Sequence, residues 1–389
     1  MRRIIALLIL VCIVSLSLGQ YVETTILLPD SLSGLSGVGS LVFHSSTNTI
    51  YVGGDGGVLI AVNAQTNAKL KKVAVGGGPH LLCSDPPGNK VYCANYDATV
   101  TVIDGATNQP VKTFSAGRAP TDFCYNERER KLYCGNVNDS FVRVIDCVGD
   151  SVVAQVPVSY VPGALCYNPQ LNRIYCACSV RDEVSAIDCS ADTVVGTVWV
   201  RGVEPGDICY DSATHCAYTA NYYSSTVSEI DCAGDSLVRL VPVGREPRAV
   251  IAGPPGKVYC ANYGDSSVTV ISDSGAERIR TDRQPMALST DPVNNKVYCG
   301  NDYSASVTVI DAASDTVVAR AGTGSYPAAL CYNAAGNNTY VGCSGNDVVS
   351  VIGGVSDTVE SVITVGTFYP GPLCYNTTNN RLYCLDYHK

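Results

Sequence analysis

The chain has 389 residues, with 26 basic against 35 acidic side chains, and only 16% of it is charged. An acidic chain without a basic cluster is a poor partner for nucleic acid or an anionic membrane surface, since Lys and Arg hold both. Gly, Ser, Thr, Val and Tyr dominate instead, which is the composition of strands and tight turns.

The first element is Met1-Arg2-Arg3, followed by an apolar run from Ile4 to Leu18 that ends in Ser17-Leu18-Gly19. A basic start, a short apolar stretch and small residues at the cleavage position predict a secretory signal over 1–19. The run is short for a spanning helix, and no transmembrane segment is expected after it. Cleavage after Gly19 leaves 20–389 with 24 basic against 35 acidic residues. The expected location is outside the cytoplasm: secreted, cell-surface or periplasmic.

Beyond residue 20 one pattern returns. The tyrosines Tyr51, Tyr92, Tyr133, Tyr175, Tyr218, Tyr259, Tyr298, Tyr340 and Tyr383 are spaced by 41, 41, 42, 43, 41, 39, 42 and 43 residues. The unit from Ala164 to Gly206 shows the grammar. Ala-Leu-Cys-Tyr-Asn (164–168) is strand A and Arg-Ile-Tyr-Cys-Ala-Cys (173–178) is strand B. Val-Ser-Ala-Ile-Asp (184–188) is strand C and Thr-Val-Val-Gly-Thr-Val-Trp-Val (193–200) is strand D. Four short β-type runs divided by turn residues make an antiparallel meander. A period near forty with four strands predicts an all-β propeller of four-stranded blades. The aspartate ending strand C, as in Asp104, Asp146, Asp188, Asp231 and Asp311, is expected to bond turn amides two residues on. A proline precedes each next strand A: Pro79, Pro120, Pro162, Pro205, Pro247, Pro285, Pro327 and Pro370.

Tyr92-Cys93-Ala94-Asn95, Tyr259-Cys260-Ala261-Asn262, Val-Thr-Val-Ile-Asp at 100–104 and 307–311, and the Val-Gly-x-x-Pro exit together resemble the YVTN family of β-propeller repeats. The resemblance covers eight successive units, and cysteine stands where that family usually has valine. It implies an exported or surface-associated protein, most such proteins having no defined activity. Residues 20–389 are expected to form one propeller domain of eight blades. Nine blades with a three-stranded seam, its strand D drawn from 23–28, and seven blades are the alternatives.

Eighteen cysteines remain after the signal. Cys83/Cys93, Cys124/Cys134, Cys166/Cys176 and Cys374/Cys384 sit ten apart on strands A and B. Pairing Cys166 with Cys176 sets Leu165 against Ala177 and Tyr167 against Tyr175. Each cysteine pair is then expected directly opposite, its Cβ atoms about 4.5–5.5 Å apart, slightly wide for a disulfide. Val250, Val341 and Thr219 stand in these slots in sister units, so core-filling thiols are the expectation. Cys147, Cys189 and Cys232 follow strand C in three successive units and are expected as thiols too. Cys176-x-Cys178 places two sulfurs on one strand face. Zinc sites bring more ligands, so no metal is assigned.

Two loop sets carry the candidate site. The D–A loops hold His80, Arg118, Tyr160, Glu204, Arg245, Glu246, Arg248, Arg283, Tyr326 and Tyr369. Of these, His80, Arg118, Glu204, Arg248 and Arg283 are candidate ligand-binding residues, and the arginines would favour carboxylate or phosphate. The B–C loops hold Tyr96, Tyr222, Tyr263 and Tyr303 beside Asn and Asp, a mix suited to recognising protein or sugar. The plainer reading of both sets is ordinary loop chemistry. No catalytic residue, cofactor or metal is assigned: the four histidines lie in different units, and no hydrolase, metalloprotease or phosphate-loop motif occurs.

The preferred function is a non-enzymatic propeller binding protein or glycan at the cell envelope. The alternative is a propeller lactonase, lyase or hydrolase, with His80 as base and Glu204 and Arg248 beside it. A third reading gives the cysteines a redox-buffering or metal-loading role. Intact mass of the secreted protein should correspond to a chain beginning at Gln20, and alkylation after unfolding without reductant should label all eighteen thiols. A mass retaining 1–19, or four or more disulfides, would overturn these expectations.

Overall fold

The computed structural model describes residues 38–386, apart from 55–56, 64–68, 254–255, 334–335, 344, 347, 365–369 and 377–380. The predicted signal and the strand expected at 23–28 lie outside the described residues.

The short runs fold as their patterns dictate. Eight four-stranded antiparallel sheets follow one another along the chain, each in the order A-B-C-D. Their A strands are Val38–His44, Pro79–Asp85, Pro120–Asn126, Pro162–Asn168, Pro205–Asp211, Pro247–Ala252, Pro285–Asp291 and Pro327–Asn333, defining blades 1 to 8. A two-stranded sheet of Pro370–Asn376 and Arg381–Asp386 comes last. Each A strand packs on that of the next blade, and Pro370–Asn376 packs on both blade 8 and blade 1, closing the circuit. The eight complete blades expected are therefore present, and the ring has a ninth place that holds strands A and B. This matches the seam alternative in its A and B strands; the seven-bladed alternative is excluded.

Burial grades outward through each blade. Strand B of blade 2 (Lys90–Asn95) and strand C (Thr99–Asp104) are buried on both faces, while strand D (Gln109–Ser115) is largely exposed. Both faces of B and C are covered because neighbouring blades sandwich them, which is why these strands read as nearly continuous apolar runs. One cluster takes Tyr92, Ala94, Val100 and Val102 from blade 2 and Leu132, Cys134, Ile145 and Cys147 from blade 3. Stability is thus a sum over blade-to-blade interfaces rather than one central core.

A polar latch joins neighbouring blades at the A–B turn end. The buried hydroxyl of Tyr92 donates to Asp150 of blade 3 at 2.7 Å, and Lys90 pairs with the same carboxylate at 2.7 Å. Tyr133 and Lys131 reach Asp192 at 2.8 and 2.9 Å. Tyr175 and Arg173 reach Asp235 at 3.0 and 2.7 Å, and Tyr259 and Lys257 reach Asp315 at 3.2 and 2.8 Å. Tyr51 uses Asn108 instead, at 2.7 Å. Asp150, Asp192, Asp235 and Asp315 all sit at φ between 45 and 54°, a left-handed turn conformation that Asp and Asn tolerate. The sequence pattern treated Asp192 as a plain turn residue; its second task depends on a tyrosine 59 positions earlier. The aspartates ending strand C do what was expected: Asp188 accepts the amides of Ser190 and Ala191, both at 2.9 Å.

Among the described residues the full latch is missing at two further interfaces: between blades 7 and 8 Lys296 pairs with Asp357 at 2.6 Å without the buried Tyr298 hydroxyl, and between blades 5 and 6 the sequence compensates. Blade 6 turns from C to D through a two-residue connection, Ser272 pairing with Gly275, so no latch aspartate exists there. The facing position in blade 5 is Cys216 rather than Lys, and Tyr218 donates to Thr214 of its own turn at 3.2 Å. Arg239, paired with Glu229 at 2.6 Å, crosses to the Ser272 carbonyl at 2.9 Å.

The expected A–B register is corrected by one residue. Cys166 lies opposite Tyr175, and Leu165 opposite Cys176. Cys83 likewise faces Tyr92, Cys124 faces Tyr133 and Cys374 faces Tyr383. A shift of one residue puts the two cysteines of each hairpin on opposite faces, which removes the cross-strand bridge. In blade 6 the slot opposite Tyr259 is filled by Ile251, not Val250. Cys147, Cys189 and Cys232 are buried and free, as expected. Burial pushes the Cys83, Cys134 and Cys147 thiols up to about 12, leaving them protonated and unreactive at neutral pH.

Tyr133→Phe should cost about 1 kcal/mol, the net value of one buried hydrogen bond, while Tyr218→Phe, whose hydroxyl bonds only its own turn, should cost less. Thermal and urea melts of the two variants check this, and equal losses would mean that the latch adds nothing between blades.

Candidate functional site

The other end of the ring gathers the D–A and B–C loops, and backbone hydrogen bonds tie the two sets together. The amides of Tyr96, Tyr222 and Tyr263 donate to the carbonyls of Gly78, Glu204 and Glu246, each at 3.0 Å, and that of Asp302 donates to Gln284 at 2.8 Å. Beneath these loops the motif asparagines hold the ends of the strands. Asn262 donates to Ser267 and Thr269 at 2.9 Å, and Asn301 donates to Thr308 at 2.9 Å.

Two backbone devices shape this face. Among the described residues, the residue before each A-strand proline lies at positive φ, including Val161 at 61°, Glu204 at 57°, Glu246 at 53° and Tyr326 at 54°. For a β-branched residue such as Val161 this is an outlier, so the loop that enters blade 4 carries backbone strain. The residue after the proline is skipped by the ladder. Pro79 pairs with Asn95 and Leu81 with Ala94, leaving His80 between them; Pro247 pairs with Asn262 and Ala249 with Ala261, leaving Arg248. Such bulges re-aim a side chain.

The aimed side chains meet the tyrosines. The His80 ring stacks on Tyr96 at 4.0 Å and 6°. Gly78 makes that possible, since a Cβ there would lie 2.8 Å from Tyr96. Arg248 lies over Tyr263 at 5.4 Å, and Arg283 lies over Tyr303 at 5.7 Å. Each such cation–ring contact contributes about 0.5–1 kcal/mol at an exposed site. Tyr222 packs edge-on against Tyr223 at 5.0 Å and donates to Glu246 at 3.5 Å. Burial lifts the Asp302 carboxyl above its ordinary range, and Arg248 opposes the rise. Burial and then Glu246 lift the Tyr222 phenol, and Arg248 opposes that too. Arg248 is therefore the charge shared by Tyr222, Tyr263 and Asp302, on three consecutive blades. Tyr96, Tyr223 and Tyr303 remain 67%, 68% and 59% exposed.

The other expected residues are placed apart. Arg118 is exposed on blade 3, its amide bonded to Asp139 at 3.1 Å. Arg245 is occupied by the Gly264 carbonyl at 2.8 Å. Tyr369 lies outside the described residues. His80 belongs to an A strand packed between those of blades 1 and 3, whereas Arg248 belongs to one packed between those of blades 5 and 7. His80 Nε2 donates to the Pro120 carbonyl at 2.8 Å, and Nδ1 lies 3.4 Å from the Gly78 carbonyl. The Glu204 amide donates to Asp182 at 2.9 Å. Among the described residues no hydrogen bond or ion pair joins the side chains of His80, Glu204 and Arg248 to one another.

Two carboxylates escaped the sequence reading. Asp122 accepts the Leu165 amide of blade 4 at 2.8 Å, and Asp207 accepts the Val250 amide of blade 6 at 2.9 Å. They staple neighbouring inner strands two positions after a proline, where blades 4, 6, 7 and 8 carry alanine. Aligning the repeats on their prolines would have exposed both. Burial raises the Asp122 carboxyl to about 6, despite the amides of Leu165 and Phe123, and Asp207 adds to the rise.

No family model matches the chain, and no curated protein matches it. Solved structures do. The dihydro-heme d1 dehydrogenase NirN, in complex with DHE, superposes with a TM-score of 0.65 at 14% identity, covering 80% of this chain and 72% of that one. A computationally designed protein, Ika8, gives 0.61 at 16% identity over 79% of this chain and 93% of that one. Kuenenia stuttgartiensis hydrazine synthase gives 0.52 at 18% identity over 86% and 99%. At these identities the likeness shows the propeller-type fold alone. No helix among the described residues is long and apolar enough to cross a membrane.

The raised Asp122 pKa sets a pH dependence. The folded chain keeps a proton that the unfolded chain, with an ordinary pKa of about 3.9, releases. This stabilisation is full below pH 4 and is lost as pH rises through about 6. Asp122→Asn, which keeps an acceptor for Leu165, should therefore gain melting temperature relative to the parent between pH 4 and 7. A constant difference across that range would show that Asp122 titrates normally.

Proposed function

We propose that the chain is an exported, YVTN-like propeller that binds a protein or glycan of the cell envelope through its loop face and catalyses no reaction. In this reading residues 1–19 are removed and 20–389 form one domain. The observation that carries it is the run of cation–tyrosine and carboxylate–tyrosine pairs across blades 5 to 7, centred on Arg248. Such pairs hold aromatic surface rigid before a ligand arrives, so little rotamer entropy is lost on binding. The polar partners give direction to a surface that apolar area alone would leave unselective. His80, Arg118 and Glu204 belong to the same face as peripheral contacts, and Tyr96 extends it on blade 2.

The purified 20–389 protein should bind a subset of purified glycans or isolated envelope proteins in interferometry. Arg248→Ala with Tyr263→Ala should weaken that binding at least tenfold, about 1.4 kcal/mol, while Val148→Ala at the opposite end should leave it unchanged. No binding to either class, together with turnover of a small ester, lactone or glycoside, would replace this reading with the enzymatic one.

A further inference from the structure

We propose that Cys176 and Cys178 form a two-coordinate site for a soft monovalent cation of the Cu(I) class, within blade 4. Strand B of blade 4 reads Tyr-Cys-Ala-Cys, so Cys178 stands where Asn95, Asn136, Asn221, Asn262 and Asn301 stand in sister blades. Both side chains lie on one strand face, fully buried, with their sulfurs 3.9 Å apart. That is far beyond the ~2.05 Å of a disulfide. Two metal–thiolate bonds of about 2.3 Å bridge it in a bent arrangement, and the near-linear one that two-coordinate Cu(I) prefers needs the sulfurs several tenths of an ångström further apart, a change for side-chain rotation to supply.

The ligand count selects the metal. Among the described residues no group of three or more metal-capable side chains occurs, which leaves a tetrahedral zinc ion unsatisfied. Thiolates favour soft ions, and Cu(I) is satisfied by two of them. The two sulfurs share a hydrogen bond and titrate as a pair. That bond holds Cys178 below its ordinary value, while the same bond and then burial push Cys176 well above, so metal uptake has to displace the Cys176 proton. Ser185 occupies the hydroxyl slot that serves the motif asparagine elsewhere, as Thr269 and Thr308 do. A groove of about 640 Å³, lined by Ser159, Tyr160, Val180, Arg181 and Glu183 among others, opens on the loops that follow Cys178 in the chain. Ser159 donates to Glu183, which lines the groove and pairs across the ladder with Cys178. Uptake forms two sulfur–metal bonds and releases the two thiol protons, with no change of oxidation state.

The test is an anaerobic Cu(I) titration against a competing chromophoric chelator. The parent is compared with a Cys176→Val, Cys178→Asn double variant and with Cys299→Val. The double variant uses residues that blades 8 and 7 carry at these positions, so it should fold, and its copper-free melt verifies that. One equivalent held by the parent and by Cys299→Val, and lost in the double variant, supports the site. Equal uptake by the double variant, no uptake by the parent, or a Cys176–Cys178 disulfide in peptide mass maps overturns it.

Discussion

A tyrosine hydroxyl buried in the middle of a strand must find an acceptor, because an unpaired one costs about 1–3 kcal/mol. Here the acceptor is never in the same sheet at the latched interfaces. It is the turn aspartate of the next blade, and a Lys or Arg two residues before the tyrosine shares it. The carboxylate is held in a left-handed turn, so its direction is set by the backbone and not by a free rotamer. A blade between two latched interfaces therefore carries half of each latch, and the ring is assembled from nearest-neighbour contacts. The interface between blades 5 and 6 is instructive: the aspartate, the lysine and the cross-blade tyrosine contact are lost together, and an arginine takes over the crossing.

This division leaves the two ends of the ring with different duties. The A–B and C–D turns are committed to joining blades, so their residues are constrained in type and conformation. The D–A and B–C loops are tied mainly to each other, through backbone hydrogen bonds that most residue types can make and through acceptors such as Asp139, Asp182 and Asp265. Variation at that end costs the assembly little, and His80, Arg248 and Arg283 are found there stacked on tyrosines. The skipped residue after each proline turns a structural irregularity into a position for recognition chemistry.

The cysteines follow from the same geometry. With the A and B strands shifted by one from the simplest pairing, the sulfurs of a hairpin look toward different neighbours. They fill volume between blades, as Ile251 does in their place. Their burial and raised pKa values speak against a general redox-buffering role. Cys176 and Cys178 differ because they share a face of one strand.

How much of this was legible follows from the range of the interaction involved. The strands, the turn aspartates, the period and the propeller class depend on alternation and turn chemistry within a few residues, and the sequence by itself determined them. The two loop sets could also be read, since Asn, Asp, Tyr and Pro mark them locally. The hairpin register could not, because a four-residue turn such as 169–172 accommodates either pairing until packing against the next blade chooses one. The latch partners lie 56 to 60 residues apart in the chain, and no local pattern joins them. The ninth place in the ring and the separation of His80 from Arg248 depend on the rotation from each blade to the next. That rotation is set by how whole faces of side chains fit together, so the tertiary structure alone decided it.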